Sequence, residues 1–219
     1  MRWMRVGSFT VAGLALVSLA LAGCMPMAPV YVSQLKVAPP VLMVAKKSNQ
    51  PLYIVLDPAK VPDQVVIPGG ELKPLDVYEM QTFVRRDLKN AMAAFFKTVE
   101  VVGPDFVPPS RPCWVADVRI DSVAMAVNKA SDTNAQYIAA QVFGQITWAF
   151  AMRPAKADDY AYSFADTSVG TYSLTSVSET GKMFESAFEV AITTMVKGLI
   201  EKGVDKRLTG VTSGSFGKT

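Results

Sequence analysis

The residues in this chain with chemistry to offer are two cysteines, Cys24 and Cys113, and the run Asp117, Arg119, Asp121. Two carboxylates in one cleft, about 5–10 Å apart, can share acid and base roles in glycoside hydrolysis. Here the three charges alternate with Val118 and Ile120, a period of two that sets them side by side on one strand face. Opposite charges so placed stabilise each other modestly, which is the reading preferred here. Asp105 and Asp158-Asp159 fall in loops with no supporting motif, so a carboxylate enzyme is the weakest functional reading. Cys113 stands in Arg111-Pro112-Cys113-Trp114 and reads as a small buried hydrophobe. An intermolecular bridge or a reactive thiol is the alternative. The chain has no histidine, which removes Ser-His-Asp and Cys-His catalysis and His-containing zinc sites. No phosphate-cradling GxxxxGK[ST] or dinucleotide GxGxxG is present. The sequence therefore predicts no catalytic residue, no metal and no cofactor.

Cys24 has a different setting. Arg2 and Arg5 precede an apolar run over residues 6–23 that ends in small residues and is followed by prolines. That is the anatomy of a secretory signal. About 18 apolar residues also approach the length that spans a bilayer, but the small-residue end and the prolines favour cleavage. Leu21-Ala22-Gly23-Cys24 resembles the lipobox of bacterial lipoproteins. The resemblance implies cleavage between Gly23 and Cys24, diacylglycerol on the Cys24 sulfur and acylation of the new amine. Two or three acyl chains anchor stably where one does not. An Asp after the lipidated cysteine marks inner-membrane retention in such proteins. Met25 stands there instead, which implies the outer membrane, facing the periplasm.

Removal of residues 1–23 leaves 196 residues, enough for one domain with a tail. The formal charge of +3 includes Arg2 and Arg5, so the mature side chains carry about +1. Lys46-Lys47 and Arg85-Arg86 are isolated pairs, and no cluster suited to a nucleic-acid backbone appears. With Cys24 acylated, Cys113 has no intramolecular partner.

Several elements follow from patterning. Prolines 26, 29, 39, 40 and 51 mark residues 24–50 as a tether, up to about 80 Å long if fully extended. Val30-Tyr31-Val32 or Val41–Ala45 can add an edge strand from it. Residues 52–56 read as a buried central strand, and 65–67 as a brief one. Asp76 reads as the cap of an amphipathic helix, with Glu79 completing a capping box and Val77, Met80, Val84, Leu88, Met92, Phe95 and Val99 on one face. On that spacing Arg85, Arg86, Asp87, Lys89 and Asn90 are solvated. Residues 99–102 can continue as a strand. Alternation predicts strands over 114–121, 142–152 and 160–165, with a polar loop at 128–136 and a hairpin between the last two. A second helix spans about 182–202, with Phe184, Ala187, Phe188, Ala191, Met195 and Leu199 as its stripe and Gly203 at its C-terminal cap.

The order βαβββα predicts an α+β two-layer sandwich: a mainly antiparallel sheet of about four strands, with both helices on one face. Residues 51–208 form this domain and 209–219 a flexible tail. The second sheet face carries Asp117, Arg119, Asp121, Gln145, Thr147 and Ser163, open to water or to a partner. Lipobox, tether and element order together resemble small envelope accessory lipoproteins of the ABC-transport auxiliary type, at the level of element order over about 50–205. The resemblance implies a non-enzymatic, membrane-anchored subunit of an envelope complex, with no nucleic acid as partner. The alternative is a carrier of a lipid or other apolar ligand, using the aromatic residues and the eleven methionines.

Overall fold

A computed structural model describes residues 27–38, 40, 46–69, 73–129, 140–173 and 180–208. The alternating apolar residues of 142–152 form the centre of its longest ladder. Strand β7 (Ala140–Pro154) pairs antiparallel with β6 (Trp114–Lys129) on one side and β8 (Tyr162–Ser173) on the other. β2 (Leu52–Val55) lies between β6 and β5 (Val99–Val102) and runs parallel to both. The five-stranded order is β5-β2-β6-β7-β8. Its parallel ladders are four residues long, so antiparallel pairing dominates, as expected.

Val142, Ile146, Trp148, Phe150 and Met152 all turn to the same face and are buried. Two helices cover that face. One is α2 (Gly181–Glu201), whose Phe184, Ala187, Phe188, Ala191, Met195 and Leu199 are buried as the spacing predicts. Gly203 follows with φ 63°, the left-handed conformation that ends a helix at little cost for glycine. A last short helix, α3 (Val204–Leu208), follows. The other covering helix opens as a π-helical stretch (Phe83–Leu88) and continues as α1 (Lys89–Met92). Phe83 meets Trp148 edge-on at 5.4 Å and Phe188 at 4.6 Å, which joins both helices to the sheet.

Tyr162 pins α2 to the sheet edge. Its buried hydroxyl donates to the Met195 carbonyl at 2.9 Å, and burial pushes its pKa up to about 12. The folded chain thus holds this proton more tightly than the unfolded chain does. The associated stability is complete below about pH 10, the ordinary tyrosine value, and is lost as the pH rises toward 12. Absorbance titration is expected to show one late-ionising tyrosine, absent from Tyr162→Phe, which should also lose about 1 kcal/mol of stability.

The first expected helix begins later than its pattern suggests. Leu75–Tyr78 is a strand, β4, antiparallel to β3 (Gln64–Ile67). The period-two burial of Leu75 and Val77 outweighs the capping pattern at Asp76. Glu79, at φ 61°, turns the chain, and the helix starts after Met80. The wide π turn also brings Asp87 inward, so it is buried rather than solvated.

β1 (Val30–Tyr31) adds a third strand beside β4 and runs parallel to it. Val30, Val32, Leu35 and Val37 are buried, so this part of the Pro-rich stretch is packed into the domain. Gly23, Cys24, residues 41–45, the tail at 209–219 and positions 130–136 of the polar loop expected at 128–136 lie outside the described residues. Asn128 and Lys129 of that loop are instead the last residues of β6, paired with Gln141 and Ala140. Among the described residues, no helix is long and apolar enough to cross a membrane.

Candidate functional site

The face of the β6–β7–β8 sheet opposite the helices holds the residues singled out from the sequence. A bulge between Ile120 and Ser122 shifts the register, so Asp117 and Arg119 precede it and Ser122 and Ala124 continue the face beyond it. Asp121 sits in the bulge. Arg119 grips it through both forks, Nε to Oδ1 at 2.5 Å and Nη2 to Oδ2 at 3.2 Å. Asp117 accepts from the Tyr160 hydroxyl at 3.0 Å. Burial, and then this bond to Asp117, raise the Tyr160 pKa. The two carboxylates therefore have separate partners and share no cleft. Gln145 lies opposite Ala124 on one side and Val169 on the other. Thr147 pairs with Thr167, their hydroxyl oxygens 2.9 Å apart. Thr167 lies beyond Ala165, where the sequence alternation ends, because β8 continues to Ser173.

Small side chains make up the centre of this surface. Ala149 faces Ala165, and Ala151 faces Ser163. β8 pairs only with β7, leaving a twelve-residue strand edge unpaired among the described residues. At the other end of the sheet the face is covered instead. Phe106 lies 4.5 Å from the Tyr53 ring, and Arg111 donates to the Tyr53 hydroxyl.

A concave feature lies at one pole of the sheet, where β2 and β6 begin and β7 ends. A cleft of about 820 Å³ is walled by residues 46–50, 111–114 and 154–156, with Ala161, Arg207 and Leu208. Cys113, Trp114 and Leu208 are buried at its floor. The floor is fixed by backbone bonds, Trp114 N–H to the Pro51 carbonyl and Ala155 N–H to the Cys113 carbonyl, both 2.9 Å. Burial raises the Cys113 thiol pKa, partly opposed by Arg111, so the neutral thiol predominates. Five cations rim this cleft, Lys46, Lys47, Arg111, Lys156 and Arg207, and no acid among the described residues lines it. No sequence pattern signals the cluster, because its members come from four distant segments.

No family model matches the chain, and neither does any curated protein sequence. Solved structures do resemble it. A DUF330-family protein from Xanthomonas campestris aligns with a TM-score of 0.46 at 14% identity, over 74% of this chain and 91% of that one. A homolog of a neuraminyllactose-binding hemagglutinin from Helicobacter pylori aligns at 0.42 and 14% identity, covering 78% and 97%. A minor lipoprotein from Acinetobacter baumannii aligns at 0.33 and 10% identity, covering 72% and 94%.

The aromatic and methionine residues considered for an apolar cavity have another task. Met80, Met92, Met152, Met183 and Met195, with Phe83, Phe150, Phe184 and Phe188, are buried in the continuous core between helices and sheet. They supply the packing that holds the layers together.

Proposed function

We propose that this chain is a non-enzymatic, lipid-anchored accessory subunit of a bacterial cell-envelope complex. The lipobox-like Leu21-Ala22-Gly23-Cys24 supports the anchor and, with Met25, an outer-membrane address facing the periplasm. The observation that carries the subunit role is the outer face of β6–β7–β8. It carries polar and small side chains, lies opposite the helices, and ends in the β8 edge, which is unpaired among the described residues. An edge strand binds a partner through main-chain hydrogen bonds and needs no special side chains. A long exposed edge is otherwise a liability that proteins shield.

Two arms test this reading. Labelled palmitate should enter the wild-type chain and not Cys24→Ser. Crosslinked recovery from native membranes should yield a stoichiometric envelope partner. The pair Ala149→Arg and Ala165→Arg, which projects bulk from the centre of the face, should reduce that recovery at least tenfold while thermal stability holds. Undiminished recovery by this variant would remove the face from the interface, and no partner at all would sink the subunit role.

A further inference from the structure

We propose that the polar cleft at the start of β2 and β6 binds a phosphate group carried by a ligand with an apolar part. The inference goes beyond the accessory-subunit reading and does not rest on it. The mature chain carries about one net charge, yet five cations converge on this one concavity. Elsewhere among the described residues four cations pair with acids, Lys60 with Asp57, Arg86 with Asp87, Arg119 with Asp121 and Lys197 with Glu201, while others such as Lys36, Lys89 and Lys97 stand singly; the cleft differs in gathering five into one concavity. In the cleft, Arg111 meets the Tyr53 hydroxyl and feels Glu100. Lys46, Lys47, Lys156 and Arg207 have no acidic partner among the described residues. Asp158 and Asp159 follow Lys156 on an exposed turn and do not line the cleft.

Like charges held together in this way repel, and a bound anion relieves the repulsion. Two guanidinium groups among five cations suit a doubly charged tetrahedral oxyanion, which accepts several charge-assisted bonds at once. The apolar floor of Pro112, Trp114, Pro154 and Leu208 offers contact for a hydrocarbon or ring attached to that group. The volume lies in the range of small-molecule sites, roughly 300–1,000 Å³.

A phospholipid headgroup and a soluble phosphate share this chemistry, and calorimetry separates them. The full chain, purified from its own membranes in non-ionic detergent, would be titrated with inorganic phosphate and with dihexanoyl phosphatidic acid below its micelle concentration. Binding of both with equal affinity would overturn the apolar contact and leave a site for soluble phosphate alone. Binding of the lipid at least tenfold tighter supports a headgroup. Either affinity should fall at least tenfold in Lys47→Glu/Arg207→Glu, and by a smaller factor in the gentler Lys47→Gln/Arg207→Gln. Lys89→Glu, which does not line the cleft, should change nothing. Absence of heat with both probes overturns the proposal, as does unaltered binding by a double variant whose melting temperature matches wild type.

Discussion

Gly170→Ala is expected to unfold the chain or to cost it about 3 kcal/mol or more, as buried overpacking does when no side chain can yield. Gly170 lies on β8 directly opposite Gly144 on β7, and the two glycines form a notch beneath the first turns of α2. A methyl group at Gly170 would sit 1.9 Å from the Met183 carbonyl oxygen and 2.5 Å from the Ala187 nitrogen. Both are backbone atoms, so the helix itself must lift. Gly144 is the internal control. Its added carbon would meet the Met183 and Phe184 side chains at 3.1 Å and the Met183 backbone carbon at 3.2 Å, contacts that a shift of a few tenths of an ångström relieves. Gly144→Ala should cost about 1 kcal/mol, at the mild end of overpacking. Denaturant midpoints of the two variants measure the contrast, and equal losses would contradict the notch.

Arg86→Met should lose about 3 kcal/mol and free the N-terminal segment, because one guanidinium serves two tasks. It donates to the carbonyls of Ser33 at 2.7 Å, Leu35 at 2.8 Å and Val32 at 3.2 Å, clamping the residues that follow β1. It also holds the buried Asp87 carboxylate through two bonds, at 2.7 and 3.1 Å. Removing one partner of a buried pair costs about 3–5 kcal/mol, and the partial exposure of Arg86 places the loss at the lower end. Lysine cannot reproduce five contacts from one planar fork. Limited proteolysis should cut within residues 27–38 of the variant and spare the wild type.

The pH dependence gives a second readout of the same pair. Burial raises the Asp87 pKa, against the opposing pull of Arg86. The folded carboxyl therefore binds its proton more tightly than the unfolded one does. Its contribution to stability is fullest below the ordinary carboxylate pKa and is lost as the pH rises through the folded value. Without Arg86 the shift grows, so Arg86→Met should regain part of its stability between pH 7 and pH 4. Urea midpoints at the two pH values check this, and a variant equally weak at both would contradict it.

The parts of this molecule legible in its sequence are those where one periodicity acts alone. Residues 142–152 alternate without interruption and form the central ladder, while the stripe from Phe184 to Leu199 and the stop at Gly203 mark α2. Reading failed where two periods overlap. Val77 and Met80 are spaced for a helix, but Leu75 and Val77 are also spaced for a strand, and pairing with β3 decides between them. It failed again at Asp87, since a 3.6-residue spacing assigns the wrong face within a π turn. The bulge at Asp121 hid the second half of β6, because the alternation changes phase there. The basic cleft left no trace at all. Lys46-Lys47, Arg111, Lys156 and Arg207 meet only through tertiary structure.

On the proposed Cys24 anchor, docking of β1 would set how far this domain can stray from a bilayer. With acyl chains on Cys24, five residues separate the anchor from Val30, which is buried beside β4. Six steps of extended chain reach about 20 Å, against the roughly 80 Å of a free tether through residue 50. A radius four times shorter confines the domain to a far thinner shell above the membrane and raises its local concentration there accordingly. Such a domain skims the lipid surface, and only partners that stand equally close to it come within range.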